Sequence, residues 1–432
     1  MRVIYTVLIG IYLLISNNLC IAQNSSIVSV DTNGNLSYTP DSDGNILPDF
    51  SMVGYHNGEK TLPLVPVKVT LNPTSGDRLS DIQNAIDLVA TMQPDNNGHR
   101  GTILLTQGNY EVSSTLSINT SGIVIRGEGE DSNGTVLKLI STSQINLFEI
   151  GGTANALNDS TSLRNVVGNV PVGAKTVTIE SGHDFQVGDR IYLHSGLTSA
   201  YLTDLGMDNL ASCGESNWVA PYVSSYKRVI TAISGNDITM DAPVVDPIND
   251  VNNPAVLMRY TWADNIEECG VESIRLESSY AFSTDENHGW DAIEFKFIEN
   301  AWARNVKSYY FGYSCVNVSN GSYKVTVQDC GMYDYKSVIT GGCRYGFTMD
   351  GADLCLIRDC ETTEGRHDFA TSSLVPGPNV FYNVVASATH SDAGPHHRWT
   401  TGTLYDNLTT DTELRVQNRK CAGSGHGWAG AQ

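Results

Sequence analysis

The sequence predicts an all-β solenoid, because short strands recur at long and fairly even steps along its second half. An apolar strand is followed by Asn or Asp at Asn305, Asp329, Asp359, Asn383 and Asn407, so successive sequence numbers differ by 24, 30, 24 and 24. An all-β period of about 20 to 50 residues is typical of solenoids. Asn and Asp suit a turn at each strand end, since they tolerate left-handed backbone geometry. The alternative is an ordinary β-sandwich with chance spacing.

Composition sets limits on what this protein can be. Of its 432 residues, 41% are hydrophobic and 17% are charged, which indicates a folded chain with a large core rather than a disordered one. The 47 acidic and 26 basic residues give a net charge of -21. Nucleic acid is therefore excluded as a partner, because binding phosphates needs a basic excess. Length alone would indicate two or three domains at roughly 150 residues each.

The first residues read as a signal peptide. Arg2 is followed by an apolar run over residues 3–15, and small residues around Ala22 mark a cleavage site before Gln23. No later stretch is long and apolar enough to span a membrane. We therefore expect a secreted or periplasmic protein without an integral membrane segment, and a monomer.

The rest of the chain divides by pattern. Residues 23–75 are predicted to form an extended lead-in, and residues 76–159 a capping helix with the first rungs of the solenoid. In the helix Ile82, Ala85, Ile86 and Val89 follow the i, i+3, i+4, i+7 spacing of one buried face. Residues 160–250 read as an inserted β subdomain, and residues 251–432 as further rungs. Because the rungs continue to Gln432 without a polar segment that would cap the last one, we expect a solenoid that is truncated at its C-terminus.

The order of these segments resembles the pectin-lyase-like superfamily. The resemblance lies in Gly76-Asp77, the helix after it, Gly108-Asn-Tyr110 and Ile123-Val-Ile-Arg-Gly127, followed by the rungs. It covers nearly all of the chain after the signal peptide except the insertion. It implies a right-handed parallel β-helix, a fold that lyases, hydrolases, epimerases and phage tailspikes share.

The resemblance is weaker for chemistry. The Arg-x-Pro-x-x-Arg element of the best-known pectate lyases is missing from the sequence. Among the elements of polygalacturonases, only Gly425-His426-Gly427 matches. The segment from residue 364 to the end, which we call the tail, is similar to bacterial secreted β-helix proteins described as polysaccharide lyases. The similarity lies in the Gly/His/Arg/Trp motifs around His367, His397 and His426.

Histidine and arginine concentrate in that tail. Five of the ten histidines follow residue 364, namely His367, His390, His396, His397 and His426. The sequence numbers of His367, His397 and His426 differ by 30 and 29, and such steps can stack side chains on one face of a solenoid. From residue 364 to the end we count five basic and six acidic residues, so this region is nearly neutral and can accept an anionic chain.

These residue types fit β-elimination on a uronate polysaccharide. The reaction needs a base for the C5 proton, donors for the developing enolate and an acid for the leaving oxygen. We predict His367 or His397 as base and Arg366 or Arg398 as carboxylate binder, with the order open. A tyrosine or a second histidine would supply the acid. The predicted substrate contacts are Arg344, Tyr345, His396, Trp399, Arg419, His426 and Trp428.

Other interpretations remain open at the level of sequence. Asp368 and Asp392, whose sequence numbers differ by 24, would serve a hydrolase with paired carboxylates. A non-catalytic carbohydrate-binding or adhesive β-helix is a third interpretation, and the histidines and arginines would then be structural, as expected for the loop residue His288. Calcium is also left open as a cofactor, because acidic residues are plentiful but no loop shows a calcium-ligand spacing.

Overall fold

The computed structural model describes residues 25–154, 156–419 and 427–430. The predicted signal peptide, His426 and the chain end at Gln432 lie outside these residues. Regular structure is nearly all β, with helices α1 (Leu79–Ala90) and α2 (Ser199–Asp204) and short 3-10 turns at Tyr55–Gly58, Ser160–Ser162 and Leu210–Cys213. Among the described helices none is long and apolar enough to cross a membrane.

The strands fall into three groups along the chain. The first group is β1 (Val28–Val30), β2 (Leu36–Tyr38), β3 (Val67–Leu71), β4 (Gly101–Leu105), β5 (Gly108–Val112), β6 (Leu116–Ile118), β7 (Ile123–Gly129), β8 (Thr135–Leu139) and β9 (Phe148–Gly151). The inserted group is β10 (Leu157–Asn158), β11 (Arg164–Asn165), β12 (Thr176–Thr178), β13 (Arg190–Leu197), β14 (Tyr222–Ser234), β15 (Asp237–Met240) and β16 (Ala255–Thr261). The last group is β17 (Ile266–Glu267), β18 (Gly270–Ser278), β19 (Asp291–Lys296), β20 (Ile298–Glu299), β21 (Trp302–Tyr309), β22 (Ser314–Ser319), β23 (Thr326–Tyr333), β24 (Phe347–Asp350), β25 (Leu356–Arg358), β26 (Glu361–Thr363), β27 (Ala370–Thr371), β28 (Asn379–Ser387), β29 (Gly394–Pro395) and β30 (Thr403–Thr410).

Two long parallel sheets form the body of the protein. The first sheet runs from β3 through β4, β7, β18, β21, β23, β25 with β26, and β28 to β30, with β5 and β8 at its side. The second sheet stacks β6, β9, β19, β22, β24, β27 and β29. A short third face is formed by β17 and β20. This arrangement confirms the predicted right-handed parallel β-helix.

The predicted rung steps are confirmed by the strand register. Trp302 pairs with Thr326, Thr326 with Leu356, Leu356 with Val380 and Asn379 with Thr403, and these pairings reproduce the predicted series of steps. All five Asn and Asp residues of the repeat have positive φ, between 51° and 59°. The bend they form lies inside long strands such as β21 and β28 rather than after them, so each such strand covers two faces of the solenoid.

A side-chain ladder joins three of these bends. The Asn407 amide donates to Asn383 Oδ1 at 2.7 Å, and the Asn383 amide donates to Asp359 Oδ1 at 2.6 Å. Each link therefore satisfies a polar group that the tight bend brings to the surface.

One apolar core fills the solenoid. Stacked rings run along it, with Phe347 and Phe369 parallel at 5.6 Å and Phe381 against Tyr405 at 5.0 Å. Helix α1 buries Ile82, Ala85, Ile86 and Val89 against the same core. These are the four residues whose spacing predicted the helix.

The inserted strands form an antiparallel sheet of their own, from Leu157 to Thr261, slightly beyond the predicted 160–250. This subdomain has a separate apolar core and packs back on the late rungs of the solenoid. Arg228 of β14 is 1% exposed and pairs with Asp353 at 3.1 Å, which joins the two parts through a buried ion pair.

Candidate functional site

The site lies at one edge of the second sheet, where the turns from the first sheet arrive. Tyr313 precedes β22, Tyr345 precedes β24, His367 precedes β27 and Asp392 precedes β29, each by a short stretch of turn. Because these strands pair in parallel, the four turns stack on successive rungs. The stacking brings side chains together that are far apart in sequence.

A row of rings follows this edge. Trp290 stacks on Tyr313 at 6.0 Å, Tyr313 stacks on Tyr345 at 5.1 Å, and Tyr345 contacts the His367 ring at 5.2 Å. Trp290 and Tyr313 are partly exposed. We call Trp290, Tyr313 and Tyr345 the aromatic row. The partly exposed rings of Trp290 and Tyr313 offer an apolar body to a ligand and keep a polar tip for hydrogen bonding, whereas Tyr345 is 7% exposed.

His367 is a buried titratable group of the site, with 3% of its surface exposed. Its Nδ1 lies 3.0 Å from the main-chain oxygen of Asp392 and 3.5 Å from the Asp392 carboxylate. A carbonyl only accepts hydrogen bonds, so Nδ1 carries the proton. The buried Nε2 then holds a lone pair, and it has no partner among the described residues.

Electrostatics keep this imidazole neutral. Burial lowers the pKa of His367 to about 4, and Arg366 and Arg419 add to the effect against the opposing influence of Asp392. At neutral pH His367 is therefore an uncharged proton acceptor whose lone pair is on the buried Nε2.

His396 and His397 lie on the next rung. The His396 ring is 4.0 Å from the His367 ring, and His397 is 4.8 Å further along. Arg419 Nη1 donates to the His396 main-chain oxygen at 2.8 Å. His397 lines a small pocket of about 90 Å³ with Thr348 and Asp350. Burial, together with Arg419 and Arg398, lowers the pKa of His397.

The four predicted arginines have different surroundings. Arg366 donates to Gly341 O and lies beside Tyr345, whose pKa is raised by burial against the lowering effect of Arg366. Arg419 reaches His396, so Arg366 and Arg419 are the cations at His367. The charge of Arg398 acts on Tyr222 of the insertion, and its buried Nε has no partner among the residues the structure describes. Arg344 is buried, and its Nη2 donates to Ser337 O at 2.6 Å.

The two predicted tryptophans contact the inserted subdomain. Trp399 is 4% exposed, packs against Trp218 at 6.0 Å and donates from Nε1 to Asp246 at 3.2 Å. Trp428 donates from Nε1 to Leu205 O at 3.3 Å. Both rings therefore lie away from the aromatic row. His288, the loop candidate, is fully buried and bonded to Ser278 at 3.0 Å.

The two carboxylates of the hydrolase hypothesis have separate environments. Asp368 is 1% exposed and accepts from Thr362 Oγ1 at 3.0 Å, and burial raises its pKa to about 7. Asp392 lies beside His367, with Arg415 at 3.9 Å. The acidic neighbour of His367 is thus Asp392 from the next rung rather than Asp368, its neighbour in sequence.

Within the described ranges one cluster has the ligand atoms for a metal. His367, Asp392 and His396 each offer an atom within 4.8 Å of the others. Two imidazoles and a carboxylate suit zinc or iron(II), whereas calcium takes about six to eight oxygen ligands. Arg419 Nη1 lies 3.2 Å from His396 Nε2 and would repel a bound cation. The set therefore does not fit calcium.

Sequence reasoning missed Tyr313, Trp290 and the role of Asp392. A signal was present for the last of these, because the step from Asp368 to Asp392 equals the local rung step. That step places the Asp392 turn directly beside the His367 turn.

Fold and site together define a parallel β-helix protein with a histidine and arginine cluster at the edge of its second sheet. No family model and no curated protein matches the sequence.

The chain is similar in fold to solved β-helix structures. One is the tailspike protein gp49 from Pseudomonas phage LKA1, at 12% identity and a TM-score of 0.38 over 77% of this chain and 56% of that one. Another is the endo-xylogalacturonan hydrolase from Aspergillus tubingensis, at 9% identity and 0.37 over 80% and 72%. A third is PfbA, a surface adhesin of Streptococcus pneumoniae, at 10% and 0.34 over 79% and 64%. The chain spans 56 to 64% of the length of three tailspikes that it matches. These likenesses concern the fold, so the function is argued from the site.

Proposed function

We propose that the protein is an exported polysaccharide lyase that cleaves a uronic-acid-containing polysaccharide by β-elimination. The observation that carries the proposal is His367. It is a buried, neutral imidazole whose Nδ1 proton is held by Asp392 O, and its Nε2 lone pair has no partner among the described residues. An imidazole oriented through one nitrogen acts as a base through the other.

In the proposed reaction His367 Nε2 removes the C5 proton of a uronate unit. The electron pair left on C5 is delocalised into the carboxylate and then forms the C4–C5 double bond as the C4–O bond breaks. Arg366 and Arg419 neutralise the carboxylate, since guanidinium groups bind planar carboxylates bidentately. Tyr345 protonates the departing oxygen. Burial raises the pKa of Tyr345, which keeps its hydroxyl proton in place until the bond breaks.

The aromatic row supplies the binding surface. Trp290, Tyr313 and Tyr345 extend from His367 along three rungs. Strands of neighbouring rungs lie about 4.8 Å apart, so the row provides a track for several sugar units. Most of the net charge of -21 lies outside the tail, which is nearly neutral. An anionic polysaccharide bound at the tail therefore meets little electrostatic repulsion.

Incubation with a panel of uronate polysaccharides tests the proposal. A lyase produces unsaturated ends that absorb ultraviolet light, while a hydrolase produces only new reducing ends. His367→Gln should lose the product and keep the fold. His390→Gln is the matched control, because His390 is exposed on the neighbouring turn. A fully active His367→Gln, or reducing ends without absorbance, would contradict the proposal.

A second candidate function is non-catalytic carbohydrate binding. The aromatic row favours it, because stacked rings hold a sugar chain without any reaction. This candidate predicts saturable binding of a polysaccharide that is unaffected by His367→Gln, with no new ends of either kind. Tyr313→Ala should weaken binding under both proposals, so only the product separates them.

A further inference from the structure

A second cavity, of about 350 Å³, lies between the inserted subdomain and the solenoid. We call it the Lys227 cavity. Its walls include Tyr192 and His194 of β13, Ser225 and Lys227 of β14, and Gly351 and Leu374 from turns of the solenoid. Pockets for small ligands begin at about 300 Å³. The volume therefore suits a single sugar unit with its substituents.

Lys227 gives this cavity a buried positive charge. The residue is 3% exposed, and its Nζ donates to Gly321 O at 2.5 Å and lies 3.7 Å from the centre of the Trp262 ring. Burial lowers the pKa of Lys227 to about 8, so the ammonium is still mostly protonated at pH 7.

The nearby carboxylate does not neutralise that ammonium directly. Asp353 pairs with the Arg228 guanidinium at 3.1 Å and accepts the Lys227 main-chain N–H at 2.7 Å. Among the residues that the structure describes, Lys227 Nζ has no carboxylate in ion-pair contact. Asp353 also lines the cavity, and its charge and that of Glu299 favour the ammonium form of Lys227 from a distance. An anion in the cavity would add the direct ion pair that Lys227 lacks among the described residues.

His194 adds a directional polar group to the same cavity. Its Nδ1 lies 2.8 Å from Ser225 Oγ, and its buried Nε2 has no partner within the described part of the chain. Burial lowers the pKa of His194, so the ring is neutral and Nε2 can bond a hydroxyl. The ring stacks on Tyr192 at 4.9 Å and 20°. The Lys227 ammonium can bind a carboxylate, His194 Nε2 can bond a hydroxyl, and the Tyr192 ring offers a flat wall to a sugar ring.

The cavity adjoins the proposed active site. Asp350 and Ser372 line the pocket of His397, and Gly351 and Leu374, which follow them closely in the chain, line the Lys227 cavity. A chain held at His367 can therefore continue across the second sheet toward the insertion. We infer that the Lys227 cavity is a subsite for a second, carboxylate-bearing sugar unit of the substrate, an inference that rests on the proposed function.

Two variants test the subsite without touching the reacting groups. Lys227→Met removes the charge and keeps the apolar stem. Val223→Trp fills the cavity from a residue that is 38% exposed, so it should not disturb folding. We expect each to raise KM for long uronate oligomers at least tenfold, while the kcat/KM of the shortest cleaved oligomer stays within twofold of wild type. Unchanged kinetics on long oligomers in both variants would overturn the inference.

A direct binding measurement separates this inference from the proposed function. Glucuronate, galacturonate and glucose are titrated calorimetrically into wild type, His367→Gln, Lys227→Met and Val223→Trp. We expect uronate binding, without glucose binding, in wild type and His367→Gln, and at least tenfold weaker binding in the two cavity variants. Equal uronate binding in all four proteins would refute the subsite. If no polysaccharide yields unsaturated ends, the proposed function fails, and this titration still decides the cavity.

Discussion

The pH dependence of the reaction is the sharpest prediction from the site. His367 accepts a proton only when its imidazole is neutral, so activity should fall as the pH drops through the pKa of His367. Burial, assisted by Arg366 and Arg419, lowers that pKa to about 4. An ordinary histidine has a pKa of about 6.5.

The two values predict very different rates in mild acid. At pH 5.5 a group with a pKa of about 4 is about 97% neutral, whereas one with a pKa of about 6.5 is about 9% neutral. Wild type should therefore keep nearly its full kcat/KM at pH 5.5, roughly tenfold more than an exposed histidine would allow. His367→Gln should reduce kcat by about 10² to 10⁴, equivalent to about 3 to 5 kcal/mol in the barrier.

The assay records initial ultraviolet absorbance of the product between pH 3.5 and 8, with folding at each pH checked by tryptophan fluorescence. Burial also lowers the pKa of His397, so the profile is repeated with His397→Gln. If His367 is the base, that variant keeps the midpoint near pH 4. A wild-type midpoint near pH 6.5, or one that moves in His397→Gln, would refute the assignment. His390→Gln should match wild type throughout.

The remaining predictions concern stability and metal. Burial would raise the pKa of Glu268, but hydrogen bonds from His56, His99 and Tyr55 lower it to about 2. Glu268→Gln should thus cost about 2 to 3 kcal/mol at pH 7 in urea unfolding, a loss that shrinks as the pH falls from 4.5 toward 2; a constant loss would contradict this. Asn383→Ala should lower the free energy of unfolding by about 1 to 2 kcal/mol, because Asn383 has a φ of 51° and donates to Asp359. Asn383→Gly should recover part of that loss, and equal stability of the two variants would contradict the prediction. Phe369→Ala should lower the free energy of unfolding by about 3 to 5 kcal/mol, since its ring is fully buried; a loss under about 1 kcal/mol would show a core that collapses around the gap. A chelator should leave the rate unchanged, because Arg419 opposes a cation at His396; loss of activity restored by zinc would show otherwise.

The fold was predictable because its signals are local and repeat. The left-handed backbone at Asn305 or Asn383 is favoured by the residue type at that one position. Because such bends recur at regular steps, they mark the length of each rung. Strand pairing of successive rungs then fixes the register. The helix at Leu79–Ala90 was equally accessible, since a single apolar face with helical spacing is enough to define it.

The site was only partly predictable, because neighbouring residues in a turn point in different directions. His367 faces Asp392 of the next rung, while Asp368 accepts a hydrogen bond from Thr362. The step of 30 from His367 to His397 predicted stacking, but the rung there has a step of 24, with Ala370 paired to Gly394. That register sets Ser391 level with His367, and the ring that contacts His367 is His396, five residues further along. The contact of Trp399 with Trp218 depends on how the insertion folds back, which no local pattern encodes.

The return of the insertion to the last rungs affects how the molecule folds and unfolds. Trp399 bonds Asp246, 153 residues earlier, and Trp428 bonds Leu205, 223 residues earlier. In a simple solenoid each repeat contacts only its neighbours, so the end can fray rung by rung. In this protein the late rungs pack against the inserted subdomain, which is joined to the early rungs in sequence. We expect one cooperative unfolding transition and slow folding, since contacts of such sequence separation form late.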